Sequence, residues 1–180
     1  HTPGSEDCLS LNIWRPATKE KNLPVIVFIY GGSNITGYSG DPLYDGAALA
    51  KKANAVVVSA NYRLGQLGFF RHPALRDTAV DPTLTPEDQS GNFAVLDIIQ
   101  ALKFVQGNIE QFGGNKANVT LSGQSAGAIN LLAVLTTPGN RAAGLFHRLA
   151  PLSGGISVAT SPGFPQPANN LQGNNGTIPA

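Results

Sequence analysis

The sequence predicts an α/β fold, a mostly parallel sheet flanked by helices, and three observations carry that expectation. Pro24-Val25-Ile26-Val27-Phe28-Ile29-Tyr30 is a continuous apolar run too short for a helix, as expected of a strand covered on both sides. Ala55-Val56-Val57-Val58-Ser59-Ala60 repeats the pattern. From Gly91 the period changes: Val95, Ile98, Leu102, Val105, Ile109 and Phe112 recur at three- and four-residue steps, which is the stripe of a long amphipathic helix ended by Gly113-Gly114. Strands alternating with helices over short loops favour parallel pairing.

Taken in order, Leu9, Leu11 and Ile13 alternate with Ser10, Asn12 and Trp14, a strand with two different faces that Pro16 stops. A polar turn, Lys19 to Asn22, leads into the first buried strand, which ends in Gly31-Gly32-Ser33. Asp45 to Asn54 holds Ala47, Ala48, Leu49 and Ala50 and then Lys51-Lys52, suiting a short helix with cations near its negative pole. Arg71 to Ser90, with Pro73, Pro82, Pro86 and several acidic residues, reads as an exposed connection. Asp97, Lys103 and Glu110 lie between the apolar positions of the long helix, and Asp97 reads as a solvated or packing charge. Val119-Thr120-Leu121 is β-prone, Ala126 to Leu135 is small and apolar, Pro138-Gly139 closes that helix, and Phe146 to Gly154 forms a further strand edge. Residues 1–156 are therefore expected to form the core, and 157–180, rich in Pro, Gly and Asn, an irregular tail.

Composition narrows the function classes. The chain has 180 residues, 42% hydrophobic content and a formal charge of +1, so neither a nucleic-acid partner nor one selected by bulk charge is indicated. No stretch reaches the ~18 apolar residues of a membrane span, and His1-Thr2-Pro3-Gly4 lacks the layout of a signal peptide. Without any Met, the chain is expected to begin inside a longer product or after processing. His1, His72 and His147 are scattered without ligand spacing, so no metal is expected. The lone Cys8 is expected to be a small buried hydrophobe rather than a reactive thiol.

The chemistry concentrates in Leu121-Ser122-Gly123-Gln124-Ser125-Ala126-Gly127-Ala128. A serine hydroxyl is a weak nucleophile at neutral pH and needs a strained turn, a general base and oxyanion donors. The G-x-S-x-G spacing supplies the turn: Gly123 and Gly127 allow a tight strand-to-helix reversal that lifts the Ser125 hydroxyl off the sheet edge. The same five letters also arise by chance in Gly/Ser-rich loops, and the flanking strand and helix favour the nucleophile. Gly31-Gly32-Ser33 reads either as an oxyanion turn at a strand's carboxyl end or as an ordinary Gly-Gly turn.

Six stretches in common order extend this reading: Glu6-Asp7-Cys8-Leu9-x-Leu11-Asn12, Tyr30-Gly31-Gly32, Asn61-Tyr62-Arg63-Leu64-Gly65-x-Leu67-Gly68-Phe69, Gly91-Asn92, Phe112-Gly113-Gly114 and Gly123-Gln124-Ser125-Ala126-Gly127. Over roughly residues 5–156 the chain resembles the type B carboxylesterases, cholinesterase-like proteins of the α/β-hydrolase fold. The resemblance implies Ser125 as acyl-accepting nucleophile, backbone N–H groups of Gly32, Ser33 and Ala126 as oxyanion donors, a small-molecule ester as substrate, and no cofactor. It also implies a partner for Cys8 nearer the amino end. Three positions depart from the resembled pattern: Ser33 for Gly or Ala, with Asn34-Ile35 following instead of an early aromatic; Gln124 for Glu; and Asn115 for an acid.

No Asp or Glu follows Ser125, and the only later histidine is His147, which sits at a strand entry. In this fold the triad runs serine, acid, histidine along the chain. The base and acid are thus expected outside the sequence, in the remainder of a parent chain or in a second chain, leaving the isolated piece with an incomplete sheet, a bare edge and poor solubility. The alternative is a non-catalytic esterase-like adhesion or binding domain. Asn34-Ile35-Thr36, Asn118-Val119-Thr120 and Asn175-Gly176-Thr177 match the glycosylation pattern. Asn118 borders a buried strand, and the other two count only in a protein that enters a secretory pathway; an extracytoplasmic location is the expectation.

Overall fold

The structure, a computed structural model, describes residues 5–70, 72, 82–85, 89, 91–137, 139 and 141–155. Its centre is β2 (Leu23–Ile29), where Leu23, Val25, Val27 and Ile29 are buried on one face and Ile26 and Phe28 are half-buried on the other. β3 (Val56–Ala60) is buried at every position, as its uniform apolar run requires. β2 lies between β3 and β4 (Gly114–Gln124), parallel to both, with Val25 opposite Val56 and Val119. β5 (Arg148–Leu152) continues the parallel set beside β4, and β1 (Leu11–Trp14) runs antiparallel to β3. The strand order among the described residues is β1-β3-β2-β4-β5.

Side-chain alternation decides which helix covers which face. Val25, Val27, Ile29, Val56, Val58, Val119 and Leu121 join one core with Ile98, Leu102 and Val105 of α3 (Phe93–Asn108) and Leu131 and Val134 of α4 (Ala126–Leu135). Each fully buried Val, Leu or Ile in that core is worth about 1.5–3 kcal/mol. The opposite face carries α1 (Ala47–Ala53), whose preceding Gly46 packs so closely on Trp14 that an added Cβ would lie 2.7 Å from the indole. α1 ends at Asn54, which takes the left-handed conformation at φ 47°.

The long stripe is helical to Asn108 and then tightens into a 3-10 turn, Ile109–Phe112, stopped by Gly113 at φ 83°. The tightening keeps Ile109 in the core but carries Phe112 toward solvent, so the last position of the predicted stripe does not pack. β1 is also shorter than the alternation from Leu9 predicted. Cys8 lies in the extended segment before it and is exposed, contrary to expectation. The segment is held by its backbone, since Asn61 Nδ2 donates to the Cys8 carbonyl at 3.0 Å, and its side chains are not packed as a strand's would be. The short helix α2 (Gly65–Phe69) follows β3. The expected Arg71–Ser90 connection falls mostly outside the described residues, and the expected 157–180 tail wholly so.

Asp97 proves to be a packing charge. Its carboxylate, 6% exposed, accepts from Arg63 Nε at 2.8 Å, Nη2 at 2.7 Å and the Arg63 backbone N–H at 2.9 Å. The guanidinium also stacks over Phe93, 5.2 Å from the ring centre. These bonds tie the middle of the sheet's loop edge to α3, and Arg63's pKa is raised chiefly by the bond to Asp97. D97N removes the buried charge of a pair whose Arg63 side chain is 38% exposed, and should lower the unfolding free energy by about 1–3 kcal/mol. An unchanged urea midpoint for the variant would contradict this role.

Beside them, the rings of Tyr30 and Tyr62 stack at 4.6 Å, and the Tyr62 hydroxyl donates to the Tyr30 carbonyl at 2.8 Å. Burial pushes the Tyr30 phenol up to about 12, and pushes Tyr62 further in the same direction. The folded state therefore keeps protons that an unfolded chain releases near pH 10, so stability falls as pH rises from about 10 toward 12. In an alkaline titration, tyrosinate absorbance from these two residues should rise together with loss of the fold; ionisation of both in a still-folded protein would refute it.

Candidate functional site

The four parallel strands end on one edge, where open α/β sheets bind ligands. Ile29 of β2 stands opposite Gly123 of β4, so the turns after these strands start side by side. One is Tyr30-Gly31-Gly32-Ser33, the other Ser125.

Ser125 links β4 to α4 at φ 54°, ψ −122°, a conformation L-residues avoid and one that costs about 1–3 kcal/mol. Neighbouring glycines make the reversal possible. A Cβ at Gly127 would overlap the Ile29 carbonyl oxygen, and one at Gly123 would lie 2.8 Å from the Gly127 carbonyl carbon. The elbow is held from the far side as well, by a 2.8 Å hydrogen bond from Ser125 N–H to the Leu152 carbonyl of β5. Ser125 itself is half-buried at the edge.

The second turn passes directly alongside. A Cβ at Gly31 would come within 3.0 Å of the Ser125 Cβ, so only glycine allows this approach. The chain then takes three consecutive positive φ angles: Gly32 at 112°, Ser33 at 56° and Asn34 at 60°. Ile35 and Thr36 both donate to the Gly32 carbonyl, at 3.0 and 3.1 Å, which closes a compact turn. Among the described residues, no group accepts a hydrogen bond from the backbone N–H of Gly32 or Ser33. Ala126 opens α4, where an N–H has no intrahelical acceptor. The structure thus sets the turn that carries Gly32 and Ser33 against Ser125 through the close approach of Gly31, with Ala126 next in the chain at the start of α4.

His147 belongs elsewhere. Its Nδ1 accepts from the Val119 N–H at 3.2 Å and its own N–H donates to the Val119 carbonyl, at the start of the apolar part of β4. Five residue steps of strand, about 17 Å, separate Val119 from Gln124, so His147 cannot serve Ser125.

Two side chains that sequence reasoning passed over lie behind the turn. Asn130 on α4 is 2% exposed, and its Nδ2 donates to Asn34 Oδ1 at 2.8 Å. Asn34 Nδ2 points back to Asn130 Oδ1 at 3.4 Å. The signal for Asn130 is a single polar residue in the otherwise small and apolar stretch Ala126–Leu135. Asn34 is a glycosylation-pattern residue whose amide is turned inward, which opposes that use; Asn118 accepts from Arg148, and Asn175 lies outside the described residues.

Comparison with known proteins follows the same lines. The model of the carboxylesterase family matches residues 1–171. The chain is 44% identical over 168 residues to the fumonisin B1 esterase of Sphingopyxis macrogoltabida, covering 93% of this chain and 28% of that protein. It is 42% identical to the para-nitrobenzyl esterase of Bacillus subtilis, covering 87% of this chain and 29% of that one, and 42% identical to mouse cholinesterase, covering 92% and 25%. Among solved structures, a Geobacillus stearothermophilus carboxylesterase superposes with a TM-score of 0.75 at 41% identity, over 85% of this chain and 31% of that one. The expected α/β-hydrolase architecture is therefore present in part, and the chain spans about a quarter to a third of the length of these relatives. By sequence and by fold, the chain belongs to the carboxylesterase family.

Proposed function

We propose that the protein hydrolyses carboxylic esters of small molecules with Ser125 as the acyl-accepting nucleophile. The observation that carries this reading is the strained Ser125 elbow lying directly against the Gly31-Gly32-Ser33 turn. Strain of this kind persists where the surroundings over-determine it, and here two glycine contacts and the bond to Leu152 do so.

In the proposed reaction Ser125 Oγ attacks the ester carbonyl carbon while its proton passes to a base. The carbonyl oxygen becomes an oxyanion facing the N–H groups of Gly32, Ser33 and Ala126. Collapse breaks the carbon–oxygen bond, the alcohol leaves with the proton, and water then cleaves the acyl-enzyme by the same route to release the acid. The base is a histidine oriented by a carboxylate, both outside the 180 residues, because Ser125 is followed by no Asp or Glu and His147 stands at the wrong end of β4. We assign them to the remainder of a longer chain, in keeping with the share of each relative that this chain spans.

In the full-length protein, a fluorophosphonate should attach at Ser125, located by peptide mapping, and S125A should lose the adduct together with about 10⁴-fold or more of p-nitrophenyl acetate hydrolysis. A folded full-length protein with neither adduct nor hydrolysis would instead favour a binding domain.

G32A tests the oxyanion turn separately. Its Cβ would overlap the Thr36 carbonyl oxygen at a φ of 112°, so the turn must move. A loss of about 10²-fold in kcat is expected, on the scale of one misplaced oxyanion donor. Unaltered kcat would remove Gly32 and Ser33 from the site.

A further inference from the structure

We propose that Asn130 is a positioning residue for the oxyanion turn, acting through Asn34; the inference rests on the assignment of Ser125 and of the Gly32 and Ser33 donors above. Burying a primary amide in the middle of an apolar helix is costly unless its hydrogen bonds are made. Asn130 makes them with Asn34, through a reciprocal amide pair at 2.8 and 3.4 Å, and its side chain also meets the Tyr62 phenol. The Tyr62 hydroxyl, fixed by its bond to the Tyr30 carbonyl, lies 3.5 Å from the same Asn34 oxygen.

Asn34 is the third of three positive-φ residues, and Ser33 and Asn34 are not glycines. Each left-handed non-glycine residue is strained relative to the ordinary regions and relaxes toward them when nothing holds it. Ser33 is exposed and carries no side-chain bond among those described, so beyond the Ile35 and Thr36 bonds to the Gly32 carbonyl, what further holds the pair of left-handed residues acts at Asn34. Two anchors do: the side chain is bound to Asn130, and the carbonyl accepts from Gly65 N–H at 2.6 Å. Asn130 sits on α4, the helix that begins immediately after Ser125, so the amide pair fixes the turn in the frame of the nucleophile itself. Relaxation of Asn34 would rotate the Ser33 and Gly32 N–H groups away from the developing oxyanion. Ground-state binding of the ester does not need those donors in the same degree, so the effect falls on kcat.

The test uses the full-length protein, with p-nitrophenyl acetate as substrate and an alkyl trifluoromethyl ketone as a probe whose hemiketal oxyanion uses the same donors. N130L should lower kcat about 10–100-fold with KM within threefold, and weaken the trifluoromethyl ketone by a matching factor. N34G deletes the amide that ties the turn to α4 and leaves position 34 free to move out of the left-handed region as readily as to stay in it, so it should show the same split; it carries the test where N130L does not fold. The N34G/N130L double variant should lose little more than the larger single one, because both break one coupling. If N130L or N34G lowers the melting temperature but leaves kcat and ketone affinity within threefold, Asn130 is a packing residue and the proposal is overturned. Multiplying losses in the double variant would overturn it too. An S125A protein that keeps its activity overturns the nucleophile assignment and this inference with it, whereas an inactive S125A beside an unaffected N34G overturns the positioning role alone.

Discussion

The parallel pairing of β2 with β4 is the constraint on which the rest of the site depends. Because Ile29 stands opposite Gly123, the two chain reversals that follow leave the sheet at the same height. The contact is then closed by the absence of side chains: Gly127 lies against the Ile29 carbonyl and Gly31 against Ser125. A one-residue slip in this ladder would turn Val25, Val27 and Ile29 out of the core and separate the turns, so burial of that face specifies the edge as well.

Strain and burial are distributed unevenly. The central strands and the inner sides of α3 and α4 are almost wholly apolar and sealed, while the loop edge holds Ser33, Asn34, Ser125 and Ser153, four of the six positive-φ non-glycine residues among those described, Asn22 and Asn54 being the others. Each costs of order 1–3 kcal/mol, an amount that the burial of a single core aliphatic can offset. The polar groups that enter the interior do so at this end too. Tyr62, Asn130 and Asp97 each hold a loop rather than a core position: Tyr62 the end of β2, Asn130 the turn after it, Asp97 the segment after β3.

How much of this could be read from the sequence depended on range. The apolar runs of β2 and β3, the stripe of α3 and the Ser125 reversal are local patterns, and each stands where its period placed it. The resemblance to the carboxylesterases extended that reading to the order of the chain. What escaped was non-local. Asn34 and Asn130 are 96 positions apart, and nothing in either neighbourhood announces the other. Asp97 looked the same whether solvated or paired until Arg63 was placed against it. α2 is only five residues long and holds two glycines, too short for a period to show. Cys8 followed a composition rule that its position, outside the ladder of β1, set aside.

The bond from Ser125 N–H to Leu152 has a consequence for synthesis. A ribosome delivers the chain from its amino end, so β2 and β3 can pair early, but the Gly31–Asn34 turn must wait for α4 before its amide is met, and the elbow must wait for β5. Contacts of such separation form late because their loop closure is unrewarded until the far segment arrives. During that interval the loop edge is a set of unsatisfied glycine turns beside a formed strand pair. The site is thus among the last parts of this segment to be built during translation, and until β4 arrives that side of β2 is an unpaired strand edge.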